Sequence, residues 1–211
     1  MIDIGIFGTS GFAREVGDVA YDLGFRPIYI ASDKLAMETW HFSEEVIIES
    51  SVEHYSKMCY SIGIGDNSVR EKIAKRFLGE LEFHTLIHPS ASFGAGQRDV
   101  IAVQKGVIIC AGVRFTNNIS VGNFSIFNLN ATVGHDVVVE DFVNLAPGVN
   151  ISGNVILCAG SMIGTGASVN QGSNENKLII GRGTSIGSGS VVLKDCTANA
   201  TYVGVPAVKI R

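Results

Sequence analysis

Apolar residues recur at every sixth position through the second half of the chain. A period of six fits neither an α-helix, which repeats about every 3.6 residues, nor a strand, which alternates every two. It is typical of a parallel β-helix, in which each six-residue unit forms one side of a triangular prism. The positions predicted to face inward are Val103, Ile109, Phe115, Val121, Phe127, Val133, Val139, Leu145, Ile151, Leu157, Ile163 and Val169.

Three such units complete one coil of the prism, and successive coils stack at the strand spacing of about 4.8 Å. From the type of repeat we expect the coil to be left-handed, against the usual chirality of parallel connections. A polar segment from Asn170 to Lys177 interrupts the repeat, which resumes in a shifted register at Ile180. This loop either shapes a ligand cleft, which we favour, or is a tolerated insertion.

The chain before the repeats has the pattern of a small α/β domain. Strands are predicted at residues 2–7, 27–31 and 60–64, and an amphipathic helix ending at Gly24 joins the first two. We therefore predict a Rossmann-like βαβ domain over residues 1–84 and a left-handed β-helix over residues 85–211. The first domain is too short for a complete dinucleotide-binding fold, which argues against a dehydrogenase.

A glycine turn follows the first predicted strand and opens the first helix. Gly8, Ser10 and Gly11 place backbone N–H groups at a helix N-terminus, an arrangement that favours a phosphate, although a tight turn without a ligand has the same sequence. Asp33 and Lys34 follow the second strand, where Asp33 could hold a ribose or a base.

A second loop, Gly65-Asp66-Asn67, precedes a helix with basic residues on one face. Its Arg70 either lies on a solvated surface or reaches a phosphate from one turn beyond Asn67. We include Gly65, Asn67 and Arg70 among the candidate ligands of an acceptor.

His135 is the single histidine within the repeats. One histidine cannot supply the three imidazoles of a zinc site between prism subunits, which argues against a γ-type carbonic anhydrase. His135 stands two places after inward Val133 and should point out of the prism, with Asp136 next to it at a corner. The carboxylate could hold the imidazole in one tautomer and stabilise its protonated form. The alternative is a surface histidine beside a surface aspartate.

Composition excludes several other classes of protein. The formal net charge is −4 and no basic cluster occurs, so we expect no nucleic-acid partner. No apolar run is long enough to span a bilayer, and the N-terminus lacks the basic region of a signal peptide. The four cysteines have neither metal-site nor disulfide spacing, which fits a reducing cytoplasm.

Five segments together resemble one family. They are GTSGFAREV, IGIGDNSVR, LIHPSA, VGHD and YVGVPAVKI, and they cover essentially the whole chain. The chain resembles the bacterial sugar O-acyltransferases of the sialic acid O-acetyltransferase type, which include N-acetyltransferases for UDP-4-amino-sugars and GDP-perosamine. The resemblance implies a homotrimer with acetyl-CoA between adjacent β-helices and an N-terminal domain that binds the nucleotide of the acceptor.

The resemblance also assigns roles to single residues. His135 is similar to the general base of the family, and Asp136 stands where many relatives have glutamate. Gly153 matches the glycine whose backbone N–H contacts the thioester carbonyl. Asn144 stands where the UDP-4-amino-sugar enzymes have a second histidine near the acetyl group, and Asn128 matches a position near the acceptor. Positions along the path of CoA are matched by Thr165, Ser188 and Gly189.

One departure from the family concerns the nucleotide base. Relatives carry an acidic pair after the second strand, where this chain has Ala31-Ser32. The resemblance therefore does not imply recognition of uracil, and a different base, or none, remains open.

From these features we expect an acetyltransferase that moves acetyl from acetyl-CoA to the amino group of a nucleotide-linked amino sugar, for bacterial surface glycans. We expect neither a metal ion nor a covalent acyl-enzyme. Two alternatives remain: O-acetylation of sialic acid, and a non-catalytic nucleotide-sugar-binding trimer.

Overall fold

The computed structural model describes residues 1–55 and 58–211. The N-terminal domain is a parallel sheet flanked by helices. Its elements are β1 (Ile2–Phe7), α1 (Gly11–Asp22), β2 (Phe25–Ala31), α2 (Lys34–Glu38), β3 (Val46–Ile48), a 3₁₀ helix (Glu49–Tyr55), β4 (Cys59–Ile62), α3 (Asn67–Phe77) and β5 (Glu82–Phe83).

The strands lie in the order β3-β2-β1-β4-β5 and pair in parallel. The chain passes from β1 to β2 and β3 on one side of the sheet and then crosses to β4 and β5 on the other side. The carboxyl ends of β1 and β4 therefore flank a switch point, where α/β sheets bind ligands. We call this place the β1–β4 edge. Several details differ from the sequence expectation: β3 and β5 were not predicted, β2 begins at Phe25 and not at residue 27, and β4 spans Cys59–Ile62 and not residues 60–64. Short strands of this kind carry too weak a pattern to be recognised.

The first helix packs unusually close to the sheet. A Cβ atom at Gly63 would come 2.7 Å from the Cα of Ala13 and 3.0 Å from its Cβ, so no larger residue fits at Gly63. Ala13 stands where a third glycine would complete the dinucleotide-binding fingerprint. Because Gly63 has no side chain, α1 can approach the end of β4 closely even though residue 13 is alanine and not glycine.

The remainder of the chain is a three-sided parallel β-helix. After β6 (Leu86–Ile87) and α4 (Gln97–Ala102) its strands are β7 (Ile108–Ile109), β8 (Arg114–Phe115), β9 (Ser120–Val121), β10 (Ile126–Phe127), β11 (Thr132–Val133), β12 (Val138–Val139), β13 (Asn144–Leu145), β14 (Asn150–Ile151), β15 (Val155–Leu157), β16 (Met162–Ile163), β17 (Ser168–Val169), β18 (Leu178–Ile180), β19 (Ser185–Ile186), β20 (Val191–Val192), β21 (Thr201–Val203) and β22 (Val208–Lys209).

These strands form three faces. The first face has the order β22-β21-β19-β16-β13-β10-β7-β6, the second β20-β17-β14-β11-β8, and the third β18-β15-β12-β9. Between β7 and β17, pairing joins residues 18 apart, as in Val133 with Ile151, so three six-residue units form one coil. Across the loop of residues 170–177 the spacing becomes 23, as in Leu157 with Ile180. The predicted inward residues from Ile109 to Val169 are buried in one core.

The predicted series is wrong at its first member. Val103 is 78% exposed because it ends α4 and precedes the first complete coil. Ile101 of α4 is buried in the prism core instead, and α4 packs against β9, the strand that carries Val121.

The N-terminal domain packs on the first face of the prism. Ile108 and Ile126 point outward from that face and join a core with Val16 and Ala20 of α1. The corner between the second and third faces lies opposite this packed face, and we call it the distal corner. Its layers are residues 116–118, 134–136, 152–154 and 170–177. No helix in the described part of the chain is long and apolar enough to cross a membrane.

Candidate active site

His135 and Asp136 form a hydrogen-bonded pair at the distal corner. The distance from His135 Nδ1 to Asp136 Oδ2 is 2.7 Å, and the two side chains are 45% and 32% exposed. Asp136 has φ +60°, a left-handed conformation that turns the chain at the corner. This turn lets neighbouring side chains project on the same side, as the sequence predicted.

The carboxylate determines which nitrogen of His135 is free. Hydrogen bonds from His135 and Asn118, with the nearby charges of His135 and Lys177, hold the pKa of Asp136 below its usual value. An ionised carboxylate only accepts hydrogen bonds, so Nδ1 carries the proton. The lone pair of Nε2 is therefore available to accept a proton from a bound molecule.

Gly153 lies directly against the imidazole, one coil further along. A Cβ atom at this position would come 2.5 Å from both Cε1 and Nε2 of His135, so only glycine fits there. Gly153 is buried, and its N–H has no acceptor among the residues that the structure describes. A backbone N–H without a protein acceptor is available to hydrogen-bond a ligand oxygen.

Two further residues contact this pair and were not predicted from the sequence. Asn118, one coil before Asp136, donates from Nδ2 to Asp136 Oδ1. Lys177 donates from Nζ to the backbone oxygen of Asp136. The spacing of 18 residues is a signal that could have identified Asn118, whereas a lysine at the end of an irregular loop leaves none.

A separate cavity of about 290 Å³ lies at the β1–β4 edge of the N-terminal domain. Gly8, Ser10, Ser32 and Glu49 are among its lining residues. Ser10 is the N-cap of α1, but its side chain makes no capping hydrogen bond. The hydroxyl and the first N–H groups of α1, which begins at Gly11, are thus placed to meet an anion.

Asp33 and Lys34 lie elsewhere and make other contacts. The Asp33 carboxylate caps α2 by accepting from the N–H of Ala36 at 2.8 Å. Lys34 is paired with Glu38 on the same helix. The Asp33 carboxylate therefore stabilises the start of α2 in this structure, and its contact with a ribose or base stays a prediction.

Arg70 corrects the reading of α3 as a solvated basic face. The side chain is fully buried between the two domains. Burial lowers its pKa to about 10, which still leaves the guanidinium charged at neutral pH. Its five nitrogen–oxygen contacts, at 2.7 to 3.1 Å, satisfy the charge without a carboxylate. The acceptors are the backbone oxygens of Phe124, Phe142, Ile64 and Gly65 and the side-chain oxygen of Asn67.

Asn67, Gly65 and Asn144 complete the same domain contact. The Asn67 amide donates to the backbone oxygen of Gly160 at 2.8 Å, and the Asn144 amide donates to that of Gly65 at 2.8 Å. Asn144 is 7% exposed and lies on the first face, opposite the distal corner of its own chain. The structure therefore assigns these residues and Arg70 to joining the domains, where the sequence had suggested ligand contacts.

The remaining candidates lie at the corner that follows the first face. Asn128 is at this corner, and Thr165 lies two coils further on. Gly189, beside exposed Ser188, donates its N–H to the backbone oxygen of Thr165 at 2.8 Å. The four residues form one ridge, separate from the His135 of the same chain.

Other reactive groups are not assembled in this region. Within residues 1–55 and 58–211, no group of three or more His, Cys, Asp or Glu side chains is placed to hold a metal ion. Cys158 is half-buried, whereas the other three cysteines are buried. Burial raises the pKa of the Cys158 thiol, so it is protonated at neutral pH.

A β-helix of six-residue repeats with an outward His–Asp pair over a glycine defines the class of hexapeptide-repeat acyltransferases. The family described as PglD N-terminal domain matches residues 3–77. GDP-perosamine N-acetyltransferase of Escherichia coli O157:H7 is 32% identical over 158 residues, 74% of this chain and 70% of that protein. The chain therefore belongs to the bacterial sugar acetyltransferase family that contains this enzyme.

Solved structures agree with this assignment. WeeI from Acinetobacter baumannii AYE has a TM-score of 0.84 and 27% identity, with 100% of both chains covered. PerB from Caulobacter crescentus, in complex with CoA and GDP-perosamine, has a TM-score of 0.83 and 24% identity, with coverage of 98% of this chain and 96% of that one. These likenesses establish the left-handed β-helix with an N-terminal α/β domain, and the family makes the chain a sugar acetyltransferase.

Proposed function

We propose that the protein transfers the acetyl group of acetyl-CoA to the amino group of a nucleotide-linked amino sugar. His135 is the general base of this reaction. The observation that carries the proposal is the placement of Asp136, His135 and Gly153, in which a carboxylate leaves Nε2 free and the ring lies directly against a glycine.

The proton moves through His135. Nε2 takes a proton from the sugar amine as its nitrogen attacks the acetyl carbonyl, and Asp136 stabilises the imidazolium that forms. The proton then passes to the departing CoA thiolate. Because the Cys158 thiol is protonated, direct attack by the amine is favoured over a covalent acyl-enzyme.

Gly153 stabilises the tetrahedral intermediate. Its N–H is the donor for the oxyanion that develops on the acetyl group. Loss of one such donor typically costs about 3 to 4 kcal/mol of transition-state stabilisation. Thr165, Ser188 and Gly189 lie along the CoA chain, and Asn128 lies near the acceptor.

The cavity at the β1–β4 edge is the site for the nucleotide part of the acceptor. Gly8, Ser10 and Gly11 meet its phosphates through backbone N–H groups and a hydroxyl. Since the relative at 32% identity is named for GDP-perosamine, a GDP-linked 4-amino sugar is the first acceptor to test.

The active protein is a homotrimer with sites between subunits. In one chain the N-terminal domain covers the first face, whereas His135 lies at the opposite corner. A nucleotide bound to that domain is therefore on the wrong side of the prism for its own His135, and a neighbouring subunit completes the site. Native mass spectrometry should give three times the chain mass.

We assign the reaction to bacterial surface glycan synthesis in the cytoplasm, where acetyl-CoA is made. The test is release of the CoA thiol with UDP-, GDP- and dTDP-linked 4-amino sugars and with free sialic acid. Rapid release with one nucleotide amino sugar would support the proposal and name the base. Release with sialic acid alone would replace it by O-acetylation. No release with any acceptor, together with nucleotide-sugar binding, would favour a non-catalytic trimer.

A further inference from the structure

We propose that Asn118 and Lys177 are positioning residues that hold Asp136 against His135. In this proposal, the loop of residues 170–177 exists to bring Lys177 to the site. The inference rests on the proposed role of His135 as general base, and it gives a function to the one interruption of the repeat.

The loop belongs to the same stack of corners as His135. Residues 134–136 and 152–154 form two layers of the distal corner, and residues 170–177 form the next one. Two hydrogen bonds fix the loop to the layer of Gly153: Gly172 N–H to Gly153 O and Leu178 N–H to Asn154 O, both 3.1 Å. The insertion is therefore fastened to the candidate active site.

The loop also has its own internal structure. Ser173 donates its N–H to the backbone oxygen of Asn176 at 2.8 Å, and its hydroxyl oxygen accepts from the N–H of Asn176 at 3.0 Å. This turn directs Lys177 back along the corner. Its ammonium passes the Gly153 layer and donates to the backbone oxygen of Asp136, and the residue is half-buried.

Asn118 holds the same aspartate from the other side. Its amide donates to Oδ1 of Asp136, while Oδ2 is the oxygen that meets His135. Lys177 fixes the backbone of Asp136, and Asn118 fixes the rotation of its carboxylate. Asn118 lies one layer before Asp136, and the loop that carries Lys177 lies two layers after it. Both oxygens of the carboxylate and the backbone oxygen of Asp136 are therefore held in place.

This arrangement compensates for the short side chain of Asp136. Asp136 has a left-handed φ of +60°, a conformation that aspartate adopts more readily than most residue types. The bonds to Oδ1 and to the backbone oxygen keep Oδ2 in hydrogen-bond contact with Nδ1 and so preserve the tautomer that leaves Nε2 free. Without them the carboxylate turns to solvent and His135 loses its orientation.

Kinetics separate this role from a general effect on folding. We expect Lys177→Gln and Asn118→Gly each to lower kcat about ten- to a hundredfold and to change the KM for acetyl-CoA less than about twofold. Glycine at position 118 keeps the left-handed backbone, which has φ +54°. Lys177→Arg retains a donor and should restore most of kcat, and Glu175→Gln in the same loop is the matched control with wild-type kcat.

A double-mutant cycle tests whether both residues act through Asp136. In an Asp136→Asn background, Lys177→Gln and Asn118→Gly should cause no further loss of kcat. Full additive losses in that background would overturn the proposal, since they would show that each residue acts on another part of the protein.

Nitrogen-15 NMR of the histidine ring gives a readout that does not depend on turnover. The His135 signals are assigned by their absence in His135→Asn. We expect the Nδ1–H tautomer in the wild-type protein and a shift towards Nε2–H in Lys177→Gln and Asn118→Gly. An unchanged tautomer in both variants would overturn the positioning role. A shifted tautomer in a protein that acetylates no acceptor would support positioning while rejecting the proposed function.

Discussion

His135 acquires its proposed chemistry from neighbours that are distant in sequence. Asp136 orients the ring, and Gly153 leaves room for it one coil away. The sequence predicted the contact with Asp136, because the two residues are adjacent, whereas it singled out Gly153 only through the family resemblance and not as a neighbour of the ring. What it could not predict is how Asp136 itself is held, because Lys177 reaches it from an irregular loop.

Asp136→Asn tests the pair at this scale. The pKa of Asp136 lies below its usual value, so the carboxylate is ionised throughout the neutral window. Its loss should lower kcat by about a hundredfold or more, through the wrong tautomer. Turnover of Asp136→Asn at the wild-type level, measured at neutral pH, would contradict a coupled pair.

Gly153→Ala tests the contact beneath the imidazole. The new methyl group would overlap Cε1 and Nε2 of His135, and the ring must leave its place. We expect kcat to fall by about a hundredfold or more, since misplacement of a catalytic group by about 1 Å can have this effect. Ser152→Ala in the same corner is the control and should keep wild-type kcat. Activity of Gly153→Ala at the control level would show that the ring does not work from this position.

At the scale of elements, the repeat predicted most of the fold. Every inward position from Ile109 to Val169 is correct, because a period of six leaves one architecture that buries all of them. The prediction failed where the period was accidental, as at Val103, and where the element was only three residues long, as at β3. The apolar residues Ile108 and Ile126 point outward from the first face. They could have indicated from the sequence that another domain packs on this face.

Two helix N-termini in the first domain differ in whether a side chain caps them, and this difference separates a binding role from a stabilising role. Ser10 makes no capping hydrogen bond, whereas Asp66 accepts from the N–H groups of Ser68 and Val69 at the start of α3. Ser10→Ala should therefore weaken nucleotide-sugar binding in calorimetry and leave Tm nearly unchanged. Asp66→Ala should cost about 1 kcal/mol of folding free energy through the lost cap. Equal nucleotide-sugar affinity in Ser10→Ala and wild type would remove Ser10 from the proposed site.

At the scale of the whole molecule, Arg70 fixes the two domains to each other. Its bonds to the backbone oxygens of Phe124 and Phe142 cross from α3 to the prism, over separations of 54 and 72 residues. No local pattern encodes such contacts, and for that reason the sequence predicted either a surface position or a phosphate contact for Arg70. Together with Asn67, Asn144 and the apolar core shared with α1, this side chain sets the orientation of the nucleotide cavity relative to the prism.

Arg70→Met should destabilise the protein strongly. The substitution leaves several buried oxygens without donors, and losses of this kind cost about 3 to 5 kcal/mol. Lys72→Met, on the exposed side of the same helix, should stay within about 0.5 kcal/mol of wild type. Urea unfolding monitored by circular dichroism measures both. Similar midpoints for the two variants would contradict the assigned role of Arg70 in joining the domains.

The most direct test of the central claim compares CoA release by wild type and His135→Ala, with a GDP-linked 4-amino sugar as acceptor. Loss of a general base should lower kcat by about a hundred- to ten-thousandfold. Acetyl-CoA affinity and the mass of the assembly should stay at their wild-type values. Wild-type turnover in His135→Ala would contradict the account, because proton removal would then not pass through the distal corner.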